Sequence, residues 1–222
     1  MKPRAHWLRQ ASQALLNTLW PRECVVCGRD ERVGQGDVCD RCWAGLLPAR
    51  PVDPPSFIRR ITVAFAYDEA LRAIVHRFKF EGVEMLALPL AQRLAERLQF
   101  LGVVPEVGIL LPVPSHPSRL RERGYNPAEV IAGELASIWE IEARPKAARR
   151  VVAGPHQSSL PDDRRKQSLV GAFHVATPTE AERQLPLILF DDVIHTGTTL
   201  KHLAKAGKAA GWKRIEAICL CK

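Results

Sequence analysis

From Arg60 onward, short apolar runs alternate with stretches whose apolar positions recur at helical spacing. Residues 61–66 and 107–113 read as strands, and 71–80, 86–98 and 127–139 read as helices. A strand at 150–152, a buried strand at 187–190, a helix from about Thr198 or Thr199 to Ala210 and a last strand at 215–220 complete the set. Such alternation predicts an α/β fold, an open, doubly wound parallel sheet with helices on its faces and a ligand site at the strands' carboxyl ends. Residues 154–167 hold turn formers and charges with little periodicity, so a long loop is expected there.

Ahead of this unit the pattern changes. Leu8, Ala11, Leu15, Leu16 and Leu19 predict an amphipathic helix over residues 5–17. Four prolines in the eight residues 48–55 read as a stiff linker or boundary. The chain of 222 residues thus divides into an N-terminal module, residues 1–50, and a main domain, residues 51–222.

The module carries two C-x2-C pairs, Cys24/Cys27 and Cys39/Cys42, separated by eleven residues. Each pair makes a knuckle that offers two sulfurs to one ion, and Gly28, Gly34 and Gly36 supply turns. Zinc is the expected metal, with disulfides, an iron–sulfur cluster or a redox pair as rivals. Four thiolates leave no open coordination position, so the ion holds structure rather than performing chemistry. Trp7, Trp20 and Trp43 lie in this region beside basic residues such as Arg22 and Arg41, where they either fill a small core or stack unpaired bases.

Charge alters the picture further. A formal net charge of +8 favours polyanionic partners, either a small phosphorylated ligand or nucleic acid. No apolar stretch reaches the roughly 18 to 20 residues of a membrane span, and no signal-peptide core is present, so a cytoplasmic protein without membrane insertion is expected.

In the segment 187–200, Leu-Ile-Leu-Phe-Asp-Asp-Val-Ile-His-Thr-Gly-Thr-Thr-Leu, an apolar strand runs into two carboxylates and then a hydroxyl-rich loop that opens a helix. Asp191 and Asp192 suit two neighbouring ribose hydroxyls, while His195, Thr196, Gly197, Thr198 and Thr199 suit a phosphate at the helix N-terminus. This resembles the phosphoribosyl pyrophosphate (PRPP) signature of type I phosphoribosyltransferases. A second stretch, 112–127, follows a strand, precedes a helix and concentrates Arg119, Arg121 and Arg123 before Gly124, an arrangement suited to a pyrophosphate group. His156, Gln157, Arg164 and Arg165 in the long loop are candidate contacts to PRPP or to a nucleic-acid backbone, or are solvated. Cys219 and Cys221, two apart on the last strand, are read as facing one side of the sheet as buried small hydrophobes.

The order of motifs is more specific. The four-cysteine knot, His-Arg-Phe-Lys-Phe-Glu-Gly at 76–82, the Pro-Val-Pro-Ser-His-Pro to Arg-Gly-Tyr-Asn segment, and His156-Gln-Ser-Ser-Leu followed by Gly-Ala-Phe173 resemble the ComF family of competence-associated proteins over nearly the whole chain. The resemblance implies a type I phosphoribosyltransferase-like fold with a zinc ribbon, and a role in uptake or processing of single-stranded DNA alongside competence proteins. It further implies that Asp191, Asp192 and Arg123 act on PRPP with Mg²⁺. Two positions depart from the family pattern: Pro127 stands where Gln is usual, and Ser168 where Asn is usual. A phosphoribosyltransferase of nucleotide salvage is the alternative reading.

Overall fold

A computed structural model describes residues 23–29, 38–151 and 171–222. The expected N-terminal helix, the 154–167 loop with His156, Gln157, Arg164 and Arg165, and Ser168 lie outside these residues.

Five strands form the main sheet: β1 (Ile61–Phe65), β2 (Ile109–Pro112), β3 (Glu142–Ala143), β6 (Pro186–Val193) and β7 (Arg214–Cys221). Their order is β1-β7-β6-β2-β3, and every pairing is parallel. Register follows from burial. In β6, Leu187 and Leu189 face one core while Ile188 and Phe190 face the other, as period-two geometry requires of a strand covered on both sides.

One face carries α2 (Glu69–Phe80), α3 (Ala87–Phe100) and α5 (Pro127–Trp139), which bury Phe78, Leu94 and Leu135 against Ile188 and Phe190. The other carries α6 (Thr198–Ala209) and a two-stranded antiparallel ribbon of β4 (Ala148–Arg150) and β5 (Phe173–Val175), which bury Leu200, Leu203 and Phe173 against Leu187 and Leu189. Local chemistry starts and stops the helices. The Asp68 carboxylate accepts from Leu71 N–H at 2.9 Å to cap α2, and Pro127 opens α5, where its missing N–H costs nothing.

Four expectations are corrected. The strand expected at 150–152 ends at Arg150 and belongs to the ribbon, because its short run pairs with β5 rather than with the parallel sheet. The strand expected to stop at Phe190 continues to Val193, since Asp191 and Val193 pair with Cys219 and Cys221. The arginine-rich stretch after β2 is partly a helix, α4 (Pro117–Arg123), entered through Pro117 and closed by Gly124 at φ 84°. Cys219 packs with the α6 cluster and Cys221 with the α2 cluster, so the two thiols do not share a core. The Cys221 Sγ lies 3.3 Å from the Asp192 carbonyl, where alternation breaks at the strand end.

The proline-rich stretch is fastened to the sheet. Ala49 N–H donates to Ala64 O at 3.2 Å and Ala66 N–H to Leu47 O at 2.8 Å, along the free edge of β1.

Candidate functional site

The cysteine cluster is built from one knuckle at residues 24–28 and one short helix, α1 (Asp40–Ala44). Gly28 takes φ 67° and its N–H donates to Cys24 O at 2.8 Å, which folds the first C-x2-C pair back on itself. Cys39 stands at the N-terminus of α1, so Cys42 follows one turn later on the same side. The four sulfurs lie within 4.8 Å of one another, and Cys27 and Cys39 Sγ are 3.9 Å apart. A tetrahedral zinc with sulfur at 2.3 Å requires sulfur pairs about 3.8 Å apart, so the donor set fits this ion.

Ionisation of the four thiols is uneven. Burial opposes ionisation of Cys24, but N–H groups of Cys39, Cys27 and Val26 outweigh it and bring the thiol to about 6. Burial and hydrogen bonding with the other three cysteines push Cys42 well up. Four thiolates at this spacing repel one another, and a dication is the natural neutraliser. Cys24, Val38, Cys39 and Trp43 belong to the core cluster that α2, α3 and α5 share, which ties the metal module to the main sheet.

The second site is a cavity of about 330 Å³ at the carboxyl ends of β2 and β6. Asp191 and Asp192 form its floor, Arg123 and Arg119 approach from α4, and His195 and Thr199 approach from the loop that opens α6. Asp192 is buried and pairs with Lys79 Nζ at 2.7 Å, while its other oxygen accepts from Val193 N–H at 2.7 Å. Among the described residues, Asp191 has no such cation in contact. Burial and the Asp192 charge push its carboxyl well above the usual range, with Lys79 opposing.

Thr196, Gly197 and Thr198 face a different hollow, of about 550 Å³, whose other wall is Asp53 to Ser56 and whose rim carries Lys201 and His202. Gly197 stands at φ 72°, and a Cβ there would come within 2.9 Å of Pro55 Cγ. The proline-rich stretch therefore rests directly on the hydroxyl-rich loop before α6. Thr196 and Thr198 hydroxyls are 2.8 Å apart, Thr198 N–H donates to Thr196 Oγ1 at 3.4 Å, and the helical bonds begin with Lys201 N–H to Gly197 O at 2.9 Å.

Besides Thr196, Gly197 and Thr198, two more residues named from the sequence, Arg121 and Gly124, lie apart from the cavity lining. Arg121 is exposed on α4, and Gly124 directs its N–H to Leu120 O at 2.9 Å as the helix cap, so that amide is not available to an anion. Other residues came to the site unannounced. Lys79 lies in the last turn of α2, Arg150 ends β4, and Asn126 bridges the loop by donating to Val113 O at 3.0 Å and accepting from Ser115 Oγ at 2.8 Å. Lys79 sits in the 76–82 stretch noted only as a motif, so the motif itself was the signal.

Comparison with known proteins bears on the cysteine module and on the chain as a whole. Residues 15–53 match the model of the Double zinc ribbon domain. Over 212 residues, 90% of this chain and 89% of the relative, the sequence is 28% identical to the DNA utilization protein YhgH of Salmonella typhimurium. It is 25% identical over 192 residues to the Competence protein ComFC of Bacillus subtilis, covering 84% of this chain and 73% of the relative. The Competence protein F of Haemophilus influenzae is 30% identical over 168 residues, 73% of this chain and 72% of that protein. With the four-cysteine cluster and a likeness of this extent, the chain belongs to the ComF family.

Proposed function

We propose that this protein is an accessory protein of DNA uptake with a type I phosphoribosyltransferase-like main domain, residues 51–222, which binds PRPP in its cavity and single-stranded DNA on its basic surface. It works in the cytoplasm beside competence proteins. The names of the relatives, competence proteins and DNA utilization proteins, support the DNA role. Among the described residues no helix is long and apolar enough to cross a membrane.

The convergence of Asp191, Asp192, Arg123, His195 and Thr199 on one cavity carries the phosphoribosyl reading. Two carboxylates at a strand end suit vicinal hydroxyls, a guanidinium suits a diphosphate, and a helix N-terminus suits the 5′-phosphate. Mg²⁺, held through the carboxylates and the ligand, would neutralise diphosphate charge. In group transfer, a nitrogen nucleophile forms a bond to C1 while the C1–O bond breaks. Pyrophosphate then leaves with the electron pair and the nitrogen loses its proton. Arg123 would stabilise the charge on the leaving diphosphate.

Titration calorimetry of PRPP with Mg²⁺ into the zinc-loaded protein tests this reading. Binding that falls by at least about a hundredfold in Asp191→Asn/Asp192→Asn supports it; folded wild type without binding overturns it. For DNA, affinity for oligo(dT) should fall steeply with salt. Arg121→Ala should weaken DNA binding alone, since Arg121 is exposed outside the cavity, whereas Arg123→Ala should weaken PRPP binding.

A further inference from the structure

Several arginines in this fold are neutralised by acids. Arg60 and Arg214 share Glu216, Arg119 pairs with Glu122, and Arg144 is held by Glu142 and Glu182. Two guanidiniums of the cavity wall depart from that habit. Arg123 and Arg150 have no carboxylate partner among the described residues. Each lies over an aromatic ring instead, Arg123 at 4.6 Å from the Phe80 centroid and Arg150 at 5.7 Å from that of Phe173. The Nε of both, and Nη2 of Arg150, are shut off from solvent without a hydrogen-bond acceptor.

A buried donor left without an acceptor costs about 1–3 kcal/mol, and more when it is charged. A cation–π contact returns about 0.5–1 kcal/mol at exposed sites and about 2 kcal/mol when desolvated, and it accepts no hydrogen bond from Nε. Burial lowers the basicity of Arg150 as well, so the protein by itself offers this group little compensation. The half-exposed Phe80 ring, 53% accessible, is otherwise an unfavourable surface feature, and its use here is to hold the Arg123 plane. Guanidiniums fixed in this way are preorganised for oxygens that arrive with a ligand. A guanidinium is a planar fork of N–H donors, and each of these two lines the cavity with nitrogens besides the buried ones. Two such cations on the wall of a cavity of about 330 Å³ match two linked phosphates and exceed what a monophosphate engages.

We infer that Arg150 is an anion-binding residue of this cavity and forms with Arg123 a clamp that selects a diphosphate over a monophosphate. The inference rests on the phosphoribosyl reading above and adds to it a residue of β4, outside both sequence motifs of that reading.

Calorimetry on the zinc-loaded full chain with two probes, pyrophosphate with Mg²⁺ and ribose 5-phosphate, tests it in wild type, Arg150→Gln and Arg150→Lys, with thermal melting alongside. Arg150→Gln should weaken pyrophosphate binding by about tenfold to a hundredfold and leave ribose 5-phosphate within about twofold. Its melting temperature should be unchanged or higher, because an unpaired buried charge has gone. Arg150→Lys keeps the charge without the fork and should recover only part of the affinity. Unchanged pyrophosphate affinity in Arg150→Gln, or equal losses for both probes, overturns the clamp and leaves the phosphoribosyl reading standing. Wild type that binds neither probe overturns that reading and the clamp with it. A loss of oligo(dT) affinity with pyrophosphate unaffected also overturns the clamp and makes Arg150 a DNA-backbone contact.

Discussion

The cysteine cluster and the cavity both concentrate ionisable groups, and they do so in opposite ways. In the first, four groups of one kind from two short segments come within 4.8 Å of one another, a complete donor set for one cation. In the second, cations and carboxylates from α2, α4, β4, β6 and the loop before α6 surround an open space. Closure directs metal affinity into folding, since the ion satisfies every donor and nothing further can reach it. Openness leaves Asp191, Arg123 and Arg150 incompletely compensated, which favours a ligand of mixed hydroxyl and phosphate character. The same elementary forces thus yield a closed donor set in one region and an open, partly uncompensated cavity in the other.

The sharpest way to break this contrast is to open the closed site. In Cys24→Ser the metal should be lost, with on the order of 10 kcal/mol of metal-binding free energy at stake. The ribbon residues Val38 and Trp43 should leave the core they share with α2, α3 and α5. Metal content and tryptophan fluorescence report both events, and full zinc retention would reject a four-cysteine site.

At the cavity, the two aspartates should respond with opposite signs. Asp192→Asn removes the partner of the largely buried Lys79 and should destabilise the protein by about 3 kcal/mol. Asp191→Asn should stabilise the ligand-free protein at neutral pH while abolishing PRPP binding. The sign follows from linkage. An aspartate whose folded pKa is raised above the unfolded value of about 3.9 binds its proton more tightly in the native state. Native stability is therefore lost as pH rises from the unfolded value toward the folded one. Urea unfolding from about pH 4 to pH 8 should show the Asp191→Asn advantage growing with pH; a constant gap would deny the burial of that charge.

The smallest expected effect lies beside the cavity, where the loop before α6 meets the proline-rich stretch. Gly197→Ala places a Cβ 2.9 Å from Pro55 Cγ at φ 72°, and should cost about 1–2 kcal/mol while loosening the proline-rich stretch from the hydroxyl-rich loop. Thermal melting measures the first effect, and proteolysis within residues 48–55 the second.

Much of this molecule was readable before its structure. The helix expected at 127–139 and the one from Thr198 have the observed extents to within a residue, because apolar periodicity and a Pro or Thr start act locally. The cysteine spacing and the Asp191–Asp192 loop were readable for the same reason, since each lies within a few turns of chain. Lys79 was harder to see. It lies in the last turn of a helix that follows a strand, and such a helix ordinarily runs back from the strands' carboxyl ends, yet Lys79 meets Asp192 there. Arg150 read as the beginning of a strand, and Asn126 as part of a turn, and neither role reveals what lies across the cavity.

By itself the sequence determined an α/β unit with parallel strands, a thiol set able to close around one metal, and a pair of carboxylates ahead of a hydroxyl-rich helix start. These properties arise from backbone geometry over a few residues, where spacing along the chain is spacing in space. Only the tertiary structure decided which charges are neutralised: Lys79 on Asp192, with Asp191 left without a cation among the described residues, and Arg123 and Arg150 on aromatic rings. Those pairings join residues up to 113 positions apart, as Lys79 and Asp192 are, by subtraction of their numbers. Their distances are set by how helices cross the sheet, and local spacing does not encode that crossing.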